Sequence, residues 1–118
     1  EFEGVVIFPG FRSPALECRS REQMDELAAA VDRLPEFSAE RDALAAAIFA
    51  ASTPVSFDSE GRIVLPKALA THAGITTEAA FVGMGKSFQI WEPKAFASFS
   101  LEARSHIQRV GLTLPKPE

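Results

Sequence analysis

Asp58 and Arg62, four positions apart in Phe57-Asp58-Ser59-Glu60-Gly61-Arg62, are the residue types whose spacing carries the most chemistry in this chain. A guanidinium at position 62 offers a planar fork of donors that can bind guanine O6 and N7 bidentately or clamp a phosphate. The same fork can instead pair with the Asp58 carboxylate and pin the turn, and the two roles can coexist. A carboxylate does not attract phosphate, so the work left to Asp58 is to orient Arg62 and close the turn, with Ser59, Glu60 and Gly61 supporting it. Lys67, after Pro66, is either a phosphate contact or a solvated surface charge. The charges from Asp58 to Lys67 cancel. One such loop would therefore bind DNA weakly, whereas several presented together raise the effective concentration of each later contact.

Other candidates carry less. Gly83-Met84-Gly85 lacks the third glycine of a phosphate-binding motif and reads as a turn. Cys18 is the sole cysteine, so it forms no intrachain disulfide and points to a reducing compartment; packing beside its strand accounts for it better than reactivity. His72 and His106 are far apart and lack ligand companions, so no metal is expected, and no cofactor either. Serines and histidines form no nucleophile and base pattern, and no catalysis is expected. Trp91 and the 10 Phe residues are expected in the core or at a subunit contact rather than as a base-stacking platform.

A chain of 118 residues, 47% hydrophobic and 24% charged, is a single globular unit or two small intertwined repeats, not a large multidomain enzyme. Its net charge of −4 argues against a generic basic nucleic-acid coat, so any DNA contact must be local. The longest uncharged stretch, Ala43 to Phe57, is broken by Pro54 and falls short of a membrane span. The opening Glu1-Phe2-Glu3-Gly4 has no initiator Met and no signal-peptide pattern, which suggests a start partway into a longer protein.

The elements that must position the loop follow from periodicity. Val5-Val6-Ile7-Phe8, closed by Pro9-Gly10, predicts a buried strand, and Ala15 to Cys18 a second one. Ser20 with Gln23 is a capping-box signature before apolar residues at Met24, Leu27, Ala28, Val31 and Leu34, predicting a helix ended by Pro35. Ser38 caps a second helix running to about Ala51, with Leu44, Ala47, Ile48 and Ala51 on one face. Thr53 to Phe57 and Arg62 to Leu65 predict two short strands joined by the Asp58 to Gly61 turn. Pro66 opens a helix over Lys67 to Ala73 that Gly74 closes. Ala79 to Met84 and Ser87 to Trp91 predict another strand pair, and Glu92-Pro93 a final helix to about Gln108, with Phe96, Phe99 and Leu101 packing. The tail 111–118, with two prolines, is expected to be loose.

Leu16 to Leu27 matches Phe88 to Phe99 at an offset of about 72 residues, which implies two copies of one unit. The same offset carries the Asp58 hairpin to before residue 1, so a first-copy hairpin is expected to be missing from this chain. The run Asp58-x-x-x-Arg62 with Leu65-Pro66, Ala73-Gly74, Val82-Gly83-x-Gly85 and Ile90-Trp91 resembles the second repeat of the MraZ family of bacterial transcriptional regulators, within the broader AbrB-like group. The resemblance extends from about Phe2 to the final helix. It implies an α+β fold, the AbrB/MraZ-like double-split β-barrel, with the remainder of a first repeat over 1–35, a connecting helix over 36–52, a second repeat over 53–110 and a flexible tail over 111–118. It further implies a ring-shaped homo-oligomer in the cytoplasm, associated with the nucleoid. Its partner would be double-stranded DNA, at short G-rich direct repeats upstream of the division and cell-wall operon, touched by Arg62 and Lys67. The competing expectation is an AbrB-like interaction module of antitoxin type, for which the short tail offers little.

Overall fold

The computed structural model describes residues 4–117, so Phe2, where the resemblance begins, and Glu118, the last residue of the tail, lie outside the described residues. In chain order the elements are β1 (Gly4–Pro9), β2 (Leu16–Arg19), α1 (Arg21–Val31), α2 (Ala39–Ala45), β3 (Thr53–Ser56), α3 (Lys67–Ala73), β4 (Ala80–Gly83), β5 (Phe88–Trp91) and α4 (Pro93–Val110). The strands form one antiparallel five-stranded sheet in the order β3-β1-β2-β5-β4, which leaves β3 and β4 as its edges. The class is α+β.

Side chains alternate between the two faces of this sheet. Val5, Ile7, Leu16, Cys18, Val55 and Ile90 point to one face and pack with Leu69 and Ala73 of α3. Phe8 points to the other, where it meets Val31 of α1 and Ile48 beyond α2. Cys18 is wholly buried, and burial together with the Glu17 carboxylate pushes its thiol up to about 12, so it is a packing residue.

The capping box of α1 forms as its residues predict. Ser20 Oγ accepts from the Gln23 backbone N–H at 3.1 Å, and Gln23 Oε1 accepts from the Ser20 N–H at 2.9 Å. Gln23 Nε2 also donates to the Lys86 carbonyl at 2.6 Å, tying the start of α1 to the β4–β5 turn.

Three local expectations are corrected. Helix α1 ends at Val31, one turn ahead of Pro35: Asp32 makes the last bond four residues back, and Arg33 and Leu34 donate three residues back, to Ala30 and Val31, in a tightened turn. Helix α2 is α-helical only to Ala45 and continues as a π-helical turn, Ala46–Ala50. Leu44 and Ala45, then Ile48 and Phe49 of the wider turn, pack with the Phe8 cluster. Arg62–Leu65 is not a strand. Its alternation is present, with Ile63 and Leu65 packed on the core and Val64 88% exposed, but it builds no ladder on the free edge of β3, where Pro54, like Pro66 after the arm, carries no N–H to donate.

The β2–β5 ladder pairs Leu16 with Ile90, Glu17 with Gln89 and Cys18 with Phe88. Its centre joins residues 72 apart, where Gln89 Nε2 donates to Glu17 Oε2 at 2.8 Å. The caps of α1 and α4 repeat that spacing: Ser20 accepts from the Gln23 N–H, and Glu92 from the Ala95 N–H. On the same face Arg19 reaches Glu17 at 3.4 Å, and Trp91 Nε1 donates to Gln89 Oε1 at 2.7 Å. A polar chain Arg19–Glu17–Gln89–Trp91 thus stitches β2 to β5.

Helix α4 has no buried residue. It is held at its start, where Trp91 meets Phe96 and Phe99 at ring-centroid distances of 5.6 and 5.0 Å. Leu101 is 72% exposed and does not pack as expected, because it lies off the Trp91 face. After Gly111 the residues 112–117 have no regular structure.

Candidate nucleic-acid interface

The loop after β3 is built on the Asp58 carboxylate. Asp58 Oδ1 accepts from the backbone N–H of Glu60 at 2.9 Å and of Arg62 at 2.8 Å, while Oδ2 accepts from Arg62 Nε at 2.9 Å. The backbone closes the same ring, with Asp58 N–H donating to the Arg62 carbonyl at 2.8 Å and Gly61 N–H to the Asp58 carbonyl at 3.0 Å. Side-chain acceptance from the chain two and four residues on is the reason aspartate sits at this turn. Gly61 has φ of 78°, a left-handed conformation that glycine adopts without penalty and an L side chain does not. Asp58, Glu60 and Gly61 thus make the turn's hydrogen bonds, and Ser59 makes none among the described residues.

Arg62 is 69% exposed at its side chain. Its Nε is taken by Asp58 and its Nη2 lies 3.6 Å from Glu60, so Nη1 has no partner among the described residues. The structural and the recognition roles that the residue types leave open are therefore not exclusive: the pair with Asp58 fixes the guanidinium at one edge and leaves its terminal amino groups at the surface. Lys67 is exposed at the first position of α3, five residues along from Arg62. Between β3 and the 62–66 arm lies an open cleft of about 500 Å³, lined by Pro54, Val55, Ile63 and Val64 together with Asp58 and Arg62.

Backbone and side-chain donors around Asp58 hold its carboxyl below the usual 3.8, chiefly through the Arg62 N–H. A depressed folded-state value means that the bonds contribute at and above the ordinary carboxylate range and are lost as pH falls through the lower, folded value. The Glu60 and Arg62 amide resonances should therefore hold steady from neutral pH down to the ordinary range and move only below it. A shift of either amide centred at or above 3.8 would show that the carboxylate does not hold the loop.

No group of His, Cys, Asp and Glu able to hold a metal is found among the described residues, and none of their helices is long and apolar enough to cross a membrane. His72 and His106 sit on different helices, α3 and α4. The 83–87 turn, with Gly85 at φ 87°, is a connection between β4 and β5. Ile90 and its aromatic neighbour Trp91 are buried at 1% and 2%, while Phe81 is 60% exposed and stacks on Phe88 at 5.9 Å. No local pattern points to the Glu17–Gln89 contact; its only sequence signal is that the two residues are equivalent under the 72-residue offset.

A family model described as "MraZ protein, putative antitoxin-like" matches residues 48–109. A "Transcriptional regulator MraZ" from Pelagibacter ubique is 39% identical over 117 residues, covering 98% of this chain and 76% of the relative. Proteins of the same name from Rickettsia canadensis and Gluconacetobacter diazotrophicus are 38% and 41% identical, covering 96% and 92% of this chain and 76% and 68% of their own lengths.

Proposed function

Because the chain belongs to the MraZ family, we propose that it is a transcriptional regulator that binds double-stranded DNA through Arg62, without catalysis. The observation that carries this is the Asp58–Arg62 pair: a guanidinium fixed through Nε, exposed, with terminal donors left over. Such a fork suits the O6 and N7 edge of guanine in the major groove. Lys67 adds a phosphate contact. The relatives are named as regulators, not as enzymes.

The finer proposal is that two copies of one unit, over 1–35 and 53–110 with a connecting helix over 36–52, build a double-split barrel. The symmetric β2–β5 register about Glu17 and Gln89 supports it. A ring of protomers then sets several Asp58–Arg62 loops against short G-rich direct repeats upstream of its own operon in the division and cell-wall cluster, in the cytoplasm at the nucleoid. Multiplicity supports this, because the loop's cancelling charges give a single contact little affinity. The antitoxin-type alternative has the wording of the family description behind it, and the exposed Leu114 in the tail as a contact.

The test is a titration of the protein against the DNA upstream of its own gene, in duplexes with one or several copies of the repeat. Wild type should bind the multiple-copy duplex far more tightly than the single copy. Lys67→Ala should weaken binding to operator and scrambled DNA alike and reduce the salt slope by about one per contact. Equal affinity for operator and scrambled duplexes by wild type would contradict the proposal.

A further inference from the structure

Helix α4 presents a stripe formed by Phe96, Phe99, Ala103 and Ile107, in which Phe99 and Ile107 remain 42% and 46% exposed. A surface groove of about 410 Å³ runs along it. Under the 72-residue offset the first three of these correspond to Met24, Leu27 and Val31 of α1, and that stripe is covered within the same chain by Leu44, Ile48 and Phe49. The two helices start at equivalent positions with equivalent caps, yet one is roofed by a helix and the other is bare. A stripe of this kind left in water is the mark of an unfilled interface.

Shape and charge indicate what fills it. The outward side of α2 and its π-helical turn exposes Ala39, Ala43, Ala46 and Ala50, whose single methyl groups let large side chains of a partner approach the helix closely. The bases of α4, Lys94, Arg104 and Arg109, outnumber its one acid, Glu102. The chain around α2 is the reverse: Glu36, Glu40 and Asp42 against Arg41, which is already bonded to Asp32 at 2.9 Å. Two α4 helices brought together would oppose like charges, whereas α4 on α2 opposes unlike ones.

We propose that the Phe99–Ile107 face of α4 seats on the alanine face of α2 in a second copy of this chain, giving a head-to-tail interface. It rests on the homo-oligomer reading and supplies its contact. A head-to-tail contact uses two different surfaces per protomer, which is the geometry that closes into rings.

Light scattering on the whole chain tests it with two exposed substitutions, Ile107→Asp on α4 and Ala43→Arg on α2, with circular dichroism as the folding control. Wild type should be a multimer, and burial of the new charge should weaken association by about tenfold or more in each variant. An equimolar mixture of the two variants should form a one-to-one dimer and nothing larger, since it contains one intact pair of faces. If Ala43→Arg keeps the wild-type mass, or the mixture stays as dissociated as its components, the α4-on-α2 contact is wrong while assembly and DNA binding stand. A monomeric wild type would overturn the assembly reading itself, leaving the Arg62 contact to be judged by DNA titration.

Discussion

Replacing Arg62 by Ala should lower affinity for operator DNA by about 1–3 kcal/mol for every base-reading fork removed, and the penalty should compound over each loop engaged by one assembly. The fold should be unaffected, because the side chain is 69% exposed and bonds only within its own loop. Affinity for scrambled DNA should fall much less, since the guanidinium reads a base edge rather than the backbone. Asp58→Ala separates holding from reading. It removes the acceptor of the Glu60 and Arg62 backbone N–H groups and of Arg62 Nε at once, so the guanidinium stays but loses its fixed direction. Its effect should be a smaller loss of affinity accompanied by exchange broadening of the loop amides. Arg62→Lys should recover phosphate attraction without the fork, and so recover affinity without recovering selectivity. The assay is a fluorescence anisotropy titration of operator and scrambled duplexes at fixed salt.

Trp91→Ala should cost about 3–5 kcal/mol of stability, the largest single-residue loss expected in this chain. The indole is 2% exposed, donates to Gln89 Oε1 at 2.7 Å and supports the two phenyl rings that hold α4. Its removal leaves a cavity, frees the Gln89 acceptor and unfastens α4, which has no fully buried residue of its own. Thermal unfolding should shift down by more than about 10 °C, and assembly should fall with it if α4 supplies the contact between copies. Trp91→Phe, which keeps ring packing and loses only the N–H, should recover most of the stability. Unchanged melting of Trp91→Ala would mean that the indole is not the anchor of α4.

The parts of this fold that are legible in the sequence are those with a local cause. Ser20 with Gln23 announces a capping box, Pro66 and Gly74 bracket α3, and the apolar run Val5 to Phe8 announces a buried strand, β1. The turn at Asp58 to Arg62 is equally local, because the carboxylate folds back on amides two and four residues along. What the residues do not announce depends on partners distant in sequence. Ile63 to Leu65 alternate like a strand, but a strand also needs a ladder, and the outer edge of β3 stays unpaired. The π-helical turn at Ala46–Ala50 has no signature in its own alanine-rich residues, and Ile48 within it packs with Phe8, which lies far earlier in the chain. The Glu17–Gln89 bond depends on a register between β2 and β5 that no local pattern specifies.

Whether Arg62 reads guanine is tested most directly by a double-mutant cycle across the interface, pairing Arg62→Ala with an operator in which guanine is replaced by 7-deazaguanine, which lacks the N7 acceptor. Wild type should lose affinity on the modified operator by a large part of the loss that Arg62→Ala suffers on the natural one, the O6 bond remaining. Arg62→Ala should then be indifferent to the modification, so that the two changes are strongly non-additive. Strictly additive losses, or a wild type that binds natural and modified operators equally, would show that Arg62 does not read guanine N7 and that the Asp58–Arg62 pair only shapes the loop.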